Sequence, residues 1–252
     1  MISLAEVHKA YAGRPVLDGA TLRIEPGAFL ALVGESGAGK TTLLKAINRL
    51  VEVDRGRIEV AGRDVAALDL PELRRSIGYV FQQVGLFLHL SVAENIWLGP
   101  RLSRLPEANR TARIAELLQL VALPPEIGAR YPDQLSGGQA QRVGFARALA
   151  AQPRIMLMDE PFGALDPVTR SELGKTYRAL HERLGLTSVL VTHDLAEALL
   201  LADRVVVLRD GRIEADLPPA KLIKVQGESA VADMLAVVRD QTDRLAALAR
   251  SA

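Results

Sequence analysis

Five consecutive apolar residues, Phe29 to Val33, run directly into Gly34-Glu35-Ser36-Gly37-Ala38-Gly39-Lys40-Thr41-Thr42, and a helix-prone stretch follows from Thr41 to Arg49. An unbroken apolar pentamer has no polar face to offer water, so it reads as a strand buried on both sides, as in parallel sheets. The segment after it fits G-x-x-x-x-G-K-[ST] in the strand-before, helix-after context that the pattern needs. Glycines let the backbone curl until its N–H groups point inward as an anion nest, and the helix N-terminus adds the positive end of its dipole. Lys40 then supplies a point charge to β- and γ-phosphates, and the Thr41 hydroxyl a ligand for Mg²⁺. With ordinary residue frequencies, a chance match in a chain this long is roughly a 1% event. These residues constrain the chain to an α/β fold built around a phosphate loop.

Periodicity along the rest of the chain agrees. Leu22 and Ile24 alternate with Thr21 and Arg23 as in a half-buried strand, and Pro26-Gly27 marks a turn. Further strands are expected at Arg57 to Val60, Ile77 to Phe81, Ile155 to Met158, Ser188 to Thr192 and Arg204 to Arg209. Helical spacing occupies Val84 to Ala150, clearest at Thr111 to Leu120 and Ser136 to Ala150, with a break at Pro124-Pro125. Helices also separate the later strands, around Ser171 to Leu184 and Leu195 to Leu201. Such alternation argues for a mostly parallel sheet, with a helical subdomain at about 84–150 inserted into it. An amphipathic tail, Ser229 to Arg250, follows Pro218-Pro219 and is expected to pack on its own domain. No repeat of solenoid or propeller period is visible.

Composition removes several function classes. The chain has 252 residues, no Cys, and 31 Lys+Arg against 30 Asp+Glu, a formal net charge of +1. Absence of cysteine excludes a disulfide scaffold, a thiolate metal site and a cysteine nucleophile. The even charge balance gives no electrostatic basis for a nucleic-acid partner. No signal peptide is read at MISLAEVHKAYAGRP, and no apolar run reaches the ~20 residues of a membrane span, so a membrane role is expected to run through a separate partner.

A phosphate loop needs a second carboxylate for Mg²⁺ and a group to activate water. Ile155-Met156-Leu157-Met158-Asp159-Glu160 offers both at the end of an apolar strand, with Asp159 facing the metal and Glu160 the water. Alternation along the strand is expected to send the two side chains in different directions. His193, following the apolar run that ends at Val191, can reach the γ-phosphate from across the sheet.

Leu135-Ser136-Gly137-Gly138-Gln139-Ala140-Gln141-Arg142 then resembles the signature of ATP-binding-cassette (ABC) ATPases, and the resemblance extends over nearly the whole chain. It implies a RecA-like phosphate-loop core at residues 1–217, with an N-terminal antiparallel β subdomain, the inserted helical subdomain, and a short helical tail at 218–252. It implies an ATPase using ATP and Mg²⁺. Tyr11 would stack on adenine, and Gly34, Glu35, Ser36, Gly37, Ala38, Gly39, Lys40, Thr41 and Thr42 would hold the phosphates. Gln82 would join Thr41 and Asp159 at the metal and, with Lys40, Glu160 and His193, serve catalysis. Ser136, Gly137, Gly138, Gln139 and the D-loop residue Asp166 would complete the site of a second copy placed head to tail. Ser136 and the glycines after it have a physical rationale of their own, since a hydroxyl and N–H groups at a helix start make a second anion site.

Narrower likeness comes from Leu44 to Leu50, Glu72 to Val80, Ile96 to Pro100 and Pro161 to Arg170, which are similar to ATPases of osmoprotectant importers for glycine betaine, carnitine and choline. The implied partners are transmembrane permease subunits and, indirectly, a substrate-binding protein, with the chain cytoplasmic and peripheral on the inner membrane face. Amino-acid and other small-solute importers are the alternative, and a non-transport ABC ATPase is a further one. Two residues depart from the expected pattern. Leu88 stands before His89 where proline is usual, and Gly144 lies inside the signature helix at a cost of about 1 kcal/mol unless close packing needs it. Paired ionic-strength-sensing domains, which some larger relatives append, are not expected in the short stretch after Pro219.

Overall fold

The computed structural model describes residues 1–227 and 230–251. Two sheets are present. Strands β1 (Ile2–Tyr11), β2 (Arg14–Ile24), β4 (Arg55–Val60) and β5 (Arg63–Asp64) form an antiparallel sheet in the order β2-β1-β4-β5. Pairing of Ile2 with Ile24 and Leu4 with Leu22 sets all four on one inward face. The second sheet has the order β10-β9-β3-β8-β7-β6, from β3 (Phe29–Val33), β6 (Ile77–Val80), β7 (Ile155–Asp159), β8 (Thr187–Val191), β9 (Arg204–Arg209) and β10 (Arg212–Leu217). It is parallel except for β10, which pairs antiparallel with β9.

The unbroken apolar run of β3 has a direct explanation. Phe29, Ala31 and Val33 enter one hydrophobic core, Leu30 and Leu32 enter another on the opposite face of the sheet, and all five are fully buried. Helix α1 (Lys40–Ile47) and the antiparallel sheet cover the second core. The first core takes in α6 (Pro167–Leu184), α7 (Leu195–Leu201) and the helical subdomain. A short α2 (Leu70–Ser76) leads into the edge strand β6.

The helical subdomain holds α3 (Val92–Leu102), α4 (Arg110–Leu120) and α5 (Gly137–Leu149). Ser91 and Glu94 form a capping box at the start of α3. Asn95, fully buried, binds the loop before it: Phe87 N–H donates to Oδ1 at 2.8 Å, and Nδ2 donates to the carbonyls of Phe87, Leu90 and Ser91 at 3.0–3.1 Å. Leu88, the departure from proline, projects from this loop with 73% of its surface exposed, and the Asn95 bonds to Phe87 and Leu90 hold the backbone on either side of it. Gly144 answers to packing, because a Cβ there would stand 2.8 Å from Val84 Cγ1.

Beyond β10, α8 (Pro219–Leu222) is followed by α9 (Ala230–Ser251), whose Val231 and Leu235 are buried in the first core; Ser229, expected to start the tail, lies outside the described residues. Arg239 donates to the carbonyl of Ile223 at 2.6 Å. Strand β10, absent from the sequence expectation, alternates exposed and half-buried residues without a fully apolar stripe. No helix among the described residues is long and apolar enough to cross a membrane.

Candidate active site

A cleft of ≈ 690 Å³ opens at the carboxyl ends of the parallel strands, between the phosphate loop, the start of β2 and the residues following β6, β7 and β8. The glycines of the loop are there for space. Gly39 has φ +101 and a Cβ on it would lie 2.4 Å from the carbonyl oxygen of Val16, while one on Gly34 would lie 2.1 Å from that of Leu208. Gly37, at φ +86, faces open space, so the missing Cβ widens the cradle itself. Ser36, Gly37, Gly39, Lys40, Thr41 and Thr42 line the cleft, and Tyr11, about half exposed, stands at its rim. Gly34, Glu35 and Ala38 do not line the cleft; Gly34 and Ala38 are buried and Glu35 is exposed.

Lys40 is 6% exposed, and its Nζ donates to the carbonyls of Gly34 and Glu35, both at 2.7 Å. Burial lowers its pKa, with the charges of Glu160 and Asp159 acting against that. The ammonium is thus positioned by its own loop beside the anion nest. Thr41 Oγ1 donates to Asp159 Oδ1 at 2.8 Å, and burial raises the pKa of Asp159, opposed by that hydrogen bond and by Lys45. One hydroxyl and one carboxylate oxygen on adjacent elements form a hard donor set suited to Mg²⁺, which retains most of its water ligands. The open glycine cradle and the Lys40 charge likewise suit a polyphosphate.

Glu160 follows β7 but is not part of it. The residue has a left-handed φ of +45, and its N–H donates to the carbonyl of Val191 at 2.9 Å. The divergence of Asp159 and Glu160 comes from this backbone turn, not from strand alternation, which corrects the expected cause. For a residue with a Cβ such a conformation costs ~1–2 kcal/mol, and strain of this kind gathers at functional sites. It aims the carboxylate into the cleft, where Oε2 accepts a hydrogen bond from Gln82 Nε2 at 3.0 Å and lies 3.4 Å from His193 Nδ1. Gln82, expected at the metal with Thr41 and Asp159, donates its hydrogen bond to Glu160.

The signature lies elsewhere. Ser136 caps α5, with its Oγ accepting the N–H of Gln139 at 3.3 Å while Gln139 Oε1 accepts the N–H of Ser136 at 3.1 Å. None of Ser136, Gly137, Gly138 or Gln139 lines the cleft, and neither does Asp166. Asp166 caps α6 by accepting the N–H groups of Val168 and Thr169, and the Thr169 bond leads the lowering of its pKa. A Cβ on Gly138 would come within 2.9 Å of Thr169 Cγ2, so the signature and the Asp166 cap pack together as one surface. Arg170, which sequence reasoning missed, donates to the carbonyls of Gly163 and Leu165 and pairs with Asp194 at 3.5 Å, joining the Asp166 loop to the His193 loop. It ends the Pro161 to Arg170 stretch of family likeness, which gave it no role of its own; Gly163 and Leu165 are near it in the chain, and Asp194 meets it only in the fold.

Residues 17–163 match the model of the ABC transporter family. The chain is 48% identical over 225 residues, 89% of its length, to the glycine betaine/carnitine/choline transport ATP-binding protein OpuCA of Bacillus subtilis (strain 168), of which it covers 59%. It is also 48% identical over 225 residues, 88% of its length, to the sulfate/thiosulfate import ATP-binding protein CysA of Xylella fastidiosa (strain 9a5c), covering 64% of it. The chain spans 59% to 62% of the length of several curated osmoprotectant-transport relatives that it matches. Among solved structures, the dimeric post-hydrolysis state of the ATP-binding cassette MJ0796 bound to ADP and Pi superposes with a TM-score of 0.80 at 34% identity, over 87% of this chain and 99% of that one. With a strand, a glycine cradle and a divergent carboxylate pair in the arrangement described, and with a family match across more than half its length, this chain belongs to the ABC transporter family.

Proposed function

We propose that the chain hydrolyses ATP as the energy-coupling subunit of an importer for quaternary-amine osmoprotectants such as glycine betaine, carnitine or choline. The observation that carries the hydrolytic part is the meeting of Gln82, Glu160 and His193 at one carboxylate oxygen beside the Lys40 and Thr41 cradle. In this reading Lys40 and the N–H groups of residues 36–42 hold the β- and γ-phosphates. Thr41 and Asp159 hold Mg²⁺, which when bound neutralises developing phosphate charge. Glu160 accepts a hydrogen bond from the attacking water, while Gln82 and His193 fix the position of its carboxylate and of the γ-phosphate. Tyr11, which lines the rim, stacks on the base in this reading. Ser136 to Gln139 and Asp166 sit outside the cleft of their own chain, which supports a site completed by a second copy. Membrane attachment in this reading runs through permease subunits; among the described residues no helix is long and apolar enough to span a bilayer.

The solute class rests on relatives of that named activity, and a sulfate importer is the second reading because the identity to CysA is the same 48%. Both parts are tested together. Purified chain should release phosphate from ATP and lose this activity in Lys40→Ala. Deleting the gene should impair uptake of labelled glycine betaine or choline. Normal uptake of these with impaired sulfate uptake selects the second reading, and undiminished turnover in Lys40→Ala removes the phosphate-loop assignment.

A further inference from the structure

Outside the cleft, α5 holds the segment after Gln82 at two points. Arg147 Nη1 donates to the carbonyl of Gly85 at 2.8 Å and Nη2 to that of Val84 at 2.5 Å. One turn earlier on the same helix face, Gly144 lies against the Val84 side chain so closely that a Cβ would stand 2.8 Å from Cγ1. Arg147 has no carboxylate partner within ion-pair distance among the described residues, and burial lowers its pKa, so these two carbonyls are what offsets its desolvated charge. The charge-assisted pair and the matched Gly–Val contact fix both the direction and the depth at which the loop seats on the helix. Two residues upstream, Gln82 bonds Glu160. The other end of α5, about 12 Å from Gly144 and about 17 Å from Arg147 along the helix axis, carries Ser136 and its capping box.

We infer that Arg147 and Gly144 form a clasp by which α5 carries the Gln82 loop with it, so that Arg147 is a positioning residue for Glu160 although it touches neither the cleft nor the reacting atoms. The inference rests on the proposed reading of Gln82 and Glu160 as groups around the hydrolytic water. Its physical content is mechanical: a displacement of the Ser136 end on binding an anion moves a rigid helix, and the clasp converts that movement into a change in the Gln82 to Glu160 hydrogen bond.

The test compares Arg147→Met, Arg147→Lys, Gly144→Ala, Val84→Ala and the double variant Gly144→Ala/Val84→Ala, with Gln82→Ala as control, in the full chain. Steady-state ATP hydrolysis gives kcat and KM, and amide hydrogen exchange reports on residues 82–85. Arg147→Met should lower kcat about tenfold with KM within twofold, and speed exchange at 83–85 by tenfold or more. Gly144→Ala should lower kcat as well, and the double variant should return to within twofold of Val84→Ala alone, because the size swap restores the seat. Should Arg147→Met lose its far-ultraviolet circular dichroism, Arg147→Lys decides, since it keeps the cation with fewer donors and should fall between wild type and a tenfold loss. Wild-type kcat in the readable Arg147 variant, or a double variant no better than Gly144→Ala, overturns the clasp. If Gln82→Ala hydrolyses at the wild-type rate, the reading of the site fails first; slow Gln82→Ala beside normal Arg147 variants sinks the clasp alone.

Discussion

Glu160→Gln separates binding from chemistry because the surroundings of that side chain change so little. A glutamine amide oxygen can still accept from Gln82 Nε2, now 3.0 Å from Oε2, and its amide nitrogen occupies the other carboxylate position. The left-handed backbone at φ +45 costs the same for Glu and Gln, so it cancels in the comparison. Stability should therefore shift by less than about 1 kcal/mol. What disappears is the negative charge that accepts the proton of the attacking water. A general base is worth roughly 10²-fold or more, about 2.7 kcal/mol of barrier, so hydrolysis should fall by at least that factor while ATP binding survives. If Ser136 to Gln139 of a second copy completes the site, unhydrolysed ATP keeps the two chains together. Size-exclusion chromatography of Glu160→Gln should show a dimer with ATP and Mg²⁺ and a monomer with ADP. Adding Ser136→Arg should abolish the dimer. A Glu160→Gln protein that stays monomeric at saturating ATP, or releases phosphate at the wild-type rate, would refute the roles of Glu160 and of the shared site together.

Three further outcomes follow from local geometry. Gly39→Ala combines a left-handed φ of +101 with a 2.4 Å approach to the Val16 carbonyl, and should cost about 3 kcal/mol, roughly 6–12 °C in Tm by calorimetry, whereas Gly37→Ala, facing open space, should cost about 1 kcal/mol. Asp159 has its pKa raised by burial, so its contribution to stability is present below the ordinary carboxylate range and lost as pH rises; at pH 7 Asp159→Asn should leave the ligand-free Tm equal or higher, yet abolish the rise in Tm that Mg²⁺ and nucleotide give the wild type. His181, 3% exposed and bonded through Nδ1 to Ser188 Oγ at 2.9 Å, has its pKa lowered by burial and by Arg178, against Asp203 and Glu182. The unfolded chain then takes the proton first, stability falls as pH drops below 6.5, and His181→Gln should flatten that limb of a Tm-versus-pH series; an unchanged slope would show that other groups set it.

Local chemistry made much of this protein legible in its sequence. Phe29 to Val33 had to be a strand buried on both faces, because no residue in it can face water, and a phosphate loop joined to that strand and to a helix start can be built in few ways. Ser136 as a helix cap and the carboxylates at 159 and 160 were equally readable, since caps and strand ends are decided by residues close in the chain. Tertiary structure alone decided the rest. The left-handed turn at Glu160, and not strand alternation, aims its carboxylate, and Gln82 meets Glu160 across 78 positions of sequence. Gly144 looked like a local cost until Val84 filled the space beside it, and Leu88 looked unrestrained until Asn95 bound its loop. Arg147 carried no motif, for its partners are backbone carbonyls of another segment, and Arg170 lay in a stretch read only for its family likeness until the fold brought Asp194 to it. A carbonyl has the same chemistry in every residue, so sequence cannot mark which one a guanidinium will find; only the packing of distant elements brings the two together.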